Sequence, residues 1–187
     1  MRKVVMFNLV SVDGFFAGPD GNIDWHVVDA EFNRAAVDMI KPFDTIVFGR
    51  VTYQLFEGYW PNAATDPATS REDRIIAERI NEMAKVVFSK TLTTVAWKNT
   101  RLLHEIAPDE IAKWKQEAGK DMVIYGSGTI VRQLTDLGLI DEYQILVNPV
   151  VLGQGKLLFA DAKSVKLQLR DAKPFRSGNV LLTYQPG

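Results

Sequence analysis

Short apolar runs ending in glycine or serine, each followed by a helical pattern, recur through the first two thirds of the chain. That rhythm predicts a parallel sheet covered by helices. Val4 to Val10, Thr45 to Phe48, Val86 to Phe88 and Met122 to Tyr125 are too continuously apolar to have one wet face, which places them in the middle of the sheet. Between them, Phe32, Ala36, Met39 and Ile40 form one helical stripe, and Ile76, Ile80 and Met83 form another. Ser70 with Asp73 predicts a capped start for the second helix. Pro108, Asp109 and Glu110 make a favourable first turn before Ile111 and Trp114, and a last helix carries Ile130, Val131, Leu134 and Leu137.

After Asp141 the pattern changes to period two. Tyr143, Ile145 and Val147 alternate with less apolar neighbours, as do Val165, Leu167 and Leu169, so both stretches predict half-exposed strands. Ser177, Gly178 and Asn179 then turn the chain into a final strand, Val180 to Tyr184, which completes an antiparallel hairpin. No linker, repeat or low-complexity segment interrupts residues 1–187, and the length suits one domain.

Composition narrows the partners. A formal net charge of −1 with no basic run argues against nucleic acid and anionic membrane surfaces and for a small molecule. The absence of cysteine removes disulfides, thiolate metal sites and cysteine nucleophiles, and suits a soluble protein of the reducing cytoplasm. Asn8, Asp13 and Gly14 break the first apolar run, which therefore reads as a buried strand rather than a signal peptide. His26 and His104 are the only histidines and lie far apart, so no metal is expected; His26 is a candidate to border a pocket, and His104 reads as a surface residue.

Three strand exits carry the candidate chemistry, and in a parallel sheet all three open onto one edge, where α/β proteins bind ligands. At the first, Gly49 lets the backbone turn, Arg50 offers a forked cation and Thr52 can cap the next helix. Taken alone, Arg50 could equally be an ordinary surface arginine. At the second, Tyr125-Gly126-Ser127-Gly128-Thr129 precedes a helix and presents backbone N–H groups to a pyrophosphate. It fails as a Rossmann fingerprint, because Val131 stands where the third glycine belongs. The third exit, Phe88-Ser89-Lys90-Thr91, adds a hydroxyl and a cation. Together the three supply an uncharged phosphate cradle and a cationic pocket, as a dinucleotide with a 2′-phosphate requires.

The order of these segments resembles the dihydrofolate reductase superfamily, and most closely the reductase domain of the bifunctional riboflavin-biosynthesis protein. The matching pieces are Ser11-Val12-Asp13-Gly14, Gly49-Arg50-Val51-Thr52-Tyr53, Val87-Phe88-Ser89-Lys90, Tyr125-Gly126-Ser127-Gly128, Leu139-Ile140-Asp141-Glu142 and Pro149 to Lys156. The resemblance implies a three-layer α/β/α fold with a mixed, mostly parallel sheet of about eight strands and a C-terminal antiparallel hairpin. It implies NADPH as cofactor, held by Gly49, Arg50, Thr52, Ser89, Lys90, Gly126, Ser127 and Gly128, and Thr129 at the same strand exit is a further cofactor-binding candidate. It further implies a cis peptide between Gly126 and Ser127, and a homodimer.

The substrate side matches less well. The family's folate-reducing members place a carboxylate five positions after a tryptophan; here Ala30 stands at that distance from Trp25, flanked by Asp29 and Glu31. Asp13, Asp24, Asp29 and Glu31 are therefore the candidates for a proton donor, and Trp25, Tyr53 and Trp60 for the walls of a substrate pocket. The leading reading is an NADPH-dependent reductase of a small heterocyclic or carbonyl compound, resembling the phosphoribosylamino-uracil reductase of riboflavin biosynthesis. Dihydrofolate reduction and a non-catalytic nucleotide-binding module on the same fold are the alternatives.

Overall fold

A computed structural model describes residues 1–187. Its main sheet has eight strands in the order β5-β4-β3-β6-β1-β7-β10-β9. They are β1 (Val4–Ser11), β3 (Phe43–Gly49), β4 (Ala84–Phe88), β5 (Thr100–Leu103), β6 (Asp121–Tyr125), β7 (Glu142–Asn148), β9 (Leu167–Pro174) and β10 (Val180–Pro186). The six from β5 to β7 are mutually parallel, whereas β10 runs antiparallel to β7 and β9 antiparallel to β10. The mixed sheet and the C-terminal hairpin thus stand as expected. A small second sheet pairs β2 (Phe15–Ala17) with β8 (Lys156–Leu157), and neither strand has an apolar run long enough to announce it.

Strand alternation divides the core into two halves. Val5 and Phe7 of β1, Ile46 and Phe48 of β3 and Val123 of β6 face one side; Val4 and Met6, Val47, and Met122 and Ile124 face the other. The first side is covered by α1 (Ala30–Met39), α2 (Arg50–Ala63) and α3 (Arg71–Glu82), the second by α4 (Pro108–Gln116) and α5 (Gly128–Asp136). This is the expected three-layer arrangement. The half-exposed reading of Val165 to Leu169 holds only in part: the strand begins at Leu167, and Leu169 is solvent-facing on the outermost strand.

Two helices start as their sequences predict. Ser70 Oγ accepts from Asp73 N at 3.0 Å at the head of α3, and Pro108 opens α4. The far end of α3 is fixed by Lys85, whose buried Nζ donates to the carbonyls of Met83 (2.8 Å) and Asn81 (3.3 Å) and lies over the Trp97 ring. A cation at a helix C-terminus meets unpaired carbonyls and the negative end of the dipole, which compensates its burial. Burial still pushes the Lys85 pKa down to about 8.

Candidate functional site

The parallel strands deliver β1, β3, β4 and β6 to one edge, and a cleft of about 1080 Å³ opens along it. All nine residues expected to contact a cofactor line this cleft: Gly49, Arg50 and Thr52 after β3, Ser89 and Lys90 after β4, and Gly126 to Thr129 after β6. The reason is topological, since parallel strands put their C-terminal ends side by side whatever their separation in sequence.

Close approach decides the glycines. Gly49 has extended φ of −90°, so turning the backbone is not its role; a Cβ there would collide with the Ser127 hydroxyl. At Gly126, φ is +59° and a Cβ would stand 2.5 Å from Thr52 Oγ1. The exits of β3 and β6 therefore interlock, each glycine receiving a hydroxyl side chain from the other. Thr52 serves this contact and does not cap α2, whose N-cap is Gly49. The chain has no cis peptide bond: the turn after β6 is made by consecutive left-handed residues, Gly126 and Ser127, rather than by a cis link between them.

Neither α2 nor α5 has a side-chain cap, and both begin at the cleft. By contrast α1 and α3 are capped by Asp29 and Ser70, while α4, which opens on Pro108 away from the cleft, also lacks a side-chain cap. First-turn N–H groups lack intrahelical partners and carry the positive end of the helix dipole, so the two uncapped starts favour an anion at the cleft. The charged lining agrees: Arg50, Lys90, Arg132 and Lys156 stand against a single carboxylate, Asp73. Arg132 and Lys156 escaped the sequence reading. The first lies one turn beyond Gly128 on α5, a spacing that could have revealed it; the second arrives on β8, which gave no signal.

Ser89 is nearly buried, and its Oγ accepts from the backbone N of Thr91 (3.2 Å) and Leu92 (3.0 Å), holding the turn that carries Lys90. His104 is exposed as expected, with Nδ1 donating to the Ser89 carbonyl at 2.8 Å. Arg50 is exposed and donates to Gln54 Oε1 at 3.1 Å along α2.

The four carboxylates are not brought to the cleft. Asp13 accepts from Ser11 Oγ (2.6 Å), Gly153 N (2.7 Å) and Leu152 N (3.1 Å), tying the loop after β1 to the loop after β7. Chiefly through the Ser11 hydroxyl, these bonds hold its pKa down to about 2, the opposite of what a proton donor needs. Asp29 caps α1 by accepting from Phe32 N at 2.7 Å, and Glu31 accepts from Arg176 N at 3.0 Å. Asp24 is exposed in the loop before α1. Each is engaged by backbone N–H groups or faces solvent, and none lines the cleft.

Of the three aromatic candidates only Trp60 lines it. Tyr53 is 1% exposed, and its hydroxyl donates to Glu57 Oε1 at 2.6 Å while accepting from Trp97 N at 3.2 Å. Trp97 Nε1 donates in turn to Asn81 Oδ1, and Asn81 Nδ2 to the Trp60 carbonyl, so Tyr53 belongs to a buried network tying α2 to α3. Trp25 donates to the Asn22 carbonyl and stands edge-on to His26, outside the lining.

His26 does border the cleft. Two fully buried asparagines fix its neighbour, because Asn148 Oδ1 accepts from Val27 N (2.8 Å) and Asn179 Nδ2 donates to the Val27 carbonyl (2.6 Å). Burial pushes the His26 pKa down to about 4, and its Nε2 is buried without a partner. Asn8 Nδ2, also on the lining, is buried and unpartnered too. These two are the unpartnered groups that a polar atom of a ligand in the cleft would satisfy; four others, on Arg74, Arg79, Thr100 and Asn179, lie away from it.

The family model described as the RibD C-terminal domain matches residues 2–183. The chain belongs to that family. A relative of similar length, the uncharacterized protein YyaP of Bacillus subtilis (strain 168), is 32% identical over 98% of this chain and 94% of its own length. Among solved structures, the diaminohydroxyphosphoribosylaminopyrimidine deaminase/5-amino-6-(5-phosphoribosylamino)uracil reductase of Thermotoga maritima aligns with all of this chain and 57% of its own, with a TM-score of 0.69 and 13% identity. A dihydrofolate reductase from Enterococcus faecalis, complexed with NADP(H), aligns with 99% of this chain and 96% of its own at a TM-score of 0.66 and 15% identity. At these identities the two structures establish a shared dihydrofolate-reductase-like fold. No helix of this family member is long and apolar enough to cross a membrane.

Proposed function

We propose that the protein is an NADPH-dependent reductase acting on a small heterocyclic or carbonyl compound in the cytoplasm, assembled as a homodimer. The observation that carries this reading is the meeting of two uncapped helix starts, α2 and α5, within one cleft whose charged lining is four cations and one carboxylate. The residues fit the cofactor: Gly126 to Thr129 and the head of α5 would hold the pyrophosphate, and Arg50, Ser89 and Lys90 the 2′-phosphate. NADPH, when bound, supplies the hydride. The volume, about 1080 Å³, lies just above the roughly 300–1,000 Å³ usual for one drug-sized ligand and leaves room for a substrate beside the cofactor.

The chain's own residues then have positioning and exclusion of water as their tasks. With the acidic candidates outside the cleft, Tyr125 is the proton-bearing group best suited to hydrogen-bond the substrate. It lines the cleft, and burial raises its pKa, so the phenol stays protonated through the neutral range. Titration with NADPH followed by tryptophan quenching is the first test, and nicotinamide absorbance with pyrimidines, dihydrofolate, flavins and simple carbonyls the second. Saturable binding with turnover of one class is expected. Absence of NADPH binding would sink the reading, and tight binding without turnover of any class would leave a nucleotide-binding module in its place.

A further inference from the structure

Three of the four cations of the cleft belong to its strand-exit side. Arg50 stands at the head of α2, Lys90 after β4 and Arg132 on α5; the fourth cation, Lys156 on β8, is set apart, its Nζ beside Gly21 in the loop between β2 and α1. The opposite side, formed by the flanks of α1, α2 and α3, presents Phe32, Ala36, Met39, Phe56, Trp60 and Ile76. Its charged residue is Asp73, which shares a stripe of α3 with Ile76 and Ile80 at spacings of three and four. The basic residues of α3 that could have served an anion are turned away: Arg74 donates to the carbonyls of Asp66 and Thr69, and Arg79 to that of Phe43. Neither these nor Arg34 of α1 and Arg71 of α3 line the cleft.

From this division of charge we infer that the helical side takes an uncharged, largely apolar ring compound that carries no phosphate. A phosphate there would be desolvated beside aliphatic and aromatic carbon and would face Asp73, and the helix starts on that side, those of α1 and α3, are already capped by Asp29 and Ser70 and leave little to offset the cost. Ring faces are well served, because Phe56 packs 5.5 Å from Tyr125 and 6.0 Å from Trp60 between ring centroids, a continuous aromatic surface. The polar groups on offer are neutral at neutral pH: Asn8, His26 and Tyr125 present hydrogen-bonding groups to carbonyl or ring-nitrogen acceptors rather than charges for an anion. The inference rests on the cofactor reading, since it assumes that the cationic side is filled by another molecule.

A matched pair of probes tests it: 1-naphthol and 1-naphthyl phosphate, titrated calorimetrically into protein saturated with NADP⁺. NADP⁺ is titrated alone beforehand, so that failure of the cofactor reading shows itself separately; in that event inorganic pyrophosphate occupies the cations during the probe titrations. Naphthol should bind, and the phosphate ester should bind at least about tenfold more weakly, given the cost of burying an unpaired anion. Equal or tighter binding of the ester, or no binding of naphthol, overturns the proposal. Ala36→Phe locates the site. It should weaken naphthol about tenfold or more by filling the space between α1 and its neighbours, with the NADP⁺ titration on the same variant reporting that the fold survives. Unchanged naphthol affinity in that variant also overturns it. Asp73→Lys should narrow the gap between the two probes by placing a cation where the carboxylate stood, and an unaltered ratio counts against the role given to Asp73.

Discussion

One side of the cleft is made of strand exits and helix starts, the other of helix flanks, and they treat charge in opposite ways. On the strand-exit side, backbone N–H groups, glycines and cations crowd together, and the side chains are small where two exits interlock. On the helical side, the stripes that bury α1 and α3 against the sheet simply continue past its edge, so the cleft there is an extension of the core. Polar recognition thus comes from where secondary structures begin, because only their ends have unpaired backbone groups. Apolar recognition comes from their flanks. A ligand spanning both must be charged at one end and apolar at the other, or be two molecules.

The most damaging way to probe this contrast is at the interlock. Gly49→Val would drive a branched side chain into Ser127 and should cost about 1–3 kcal/mol of stability, typical of overpacking. NADPH binding should be largely lost, while thermal melting shows a folded protein with lowered Tm. A variant that keeps full NADPH affinity would show that the close approach of the β3 and β6 exits is irrelevant to the anion site.

Arg50→Ala removes charge without disturbing the backbone. Hydrogen bonds to charged groups contribute on the order of 1.5–3 kcal/mol, and Arg50 is exposed, so solvent screening leaves about a tenfold loss for NADPH. NADH, lacking the 2′-phosphate, should be affected far less. Equal losses for the two cofactors would mean that Arg50 does not discriminate between them.

His26 gives the comparison a pH dependence. Its pKa falls from an ordinary 6.5 to about 4 in the folded protein, so between these values the unfolded chain binds a proton that the native state refuses. Its contribution is fully present above pH 6.5 and is lost as the pH drops toward 4. Thermal melts should show stability falling across that window, with a shallower slope in His26→Gln. Identical slopes in the two proteins would place the imidazole in a more open setting than the cleft rim.

The smallest effect is expected at Asp13. Here a carboxyl is lowered from 3.8 to about 2, so its stabilisation is present above pH 3.8 and disappears as the pH falls through 2. Asp13→Asn should remove that acid dependence and loosen the link to Leu152 and Gly153, seen as faster amide hydrogen exchange at those two residues. Unchanged exchange would separate the loop's order from this carboxylate.

Local pattern on its own determined the central strands, the helix stripes, the capped start of α3 and the nine cleft residues at the strand exits. These features depend on periodicity, on capping chemistry and on the rule that parallel strands share an edge, all of which are written within a few consecutive residues. Tertiary structure alone decided the rest. Tyr53 and Trp60 lie seven positions apart on one helix and look alike in sequence, yet the first is buried in a network with Glu57 and Trp97 and the second lines the cleft. Asp13, Asp29 and Glu31 offered plausible acids until their partners, Leu152 and Gly153, Phe32 and Arg176, came into view, two of the three far away in the chain. Lys156 reached the cleft on a two-residue strand whose partner lies near the N-terminus. Which face of an element meets solvent, and which hydrogen-bond partner satisfies a polar group, are set by residues distant in sequence, and no local pattern encodes them.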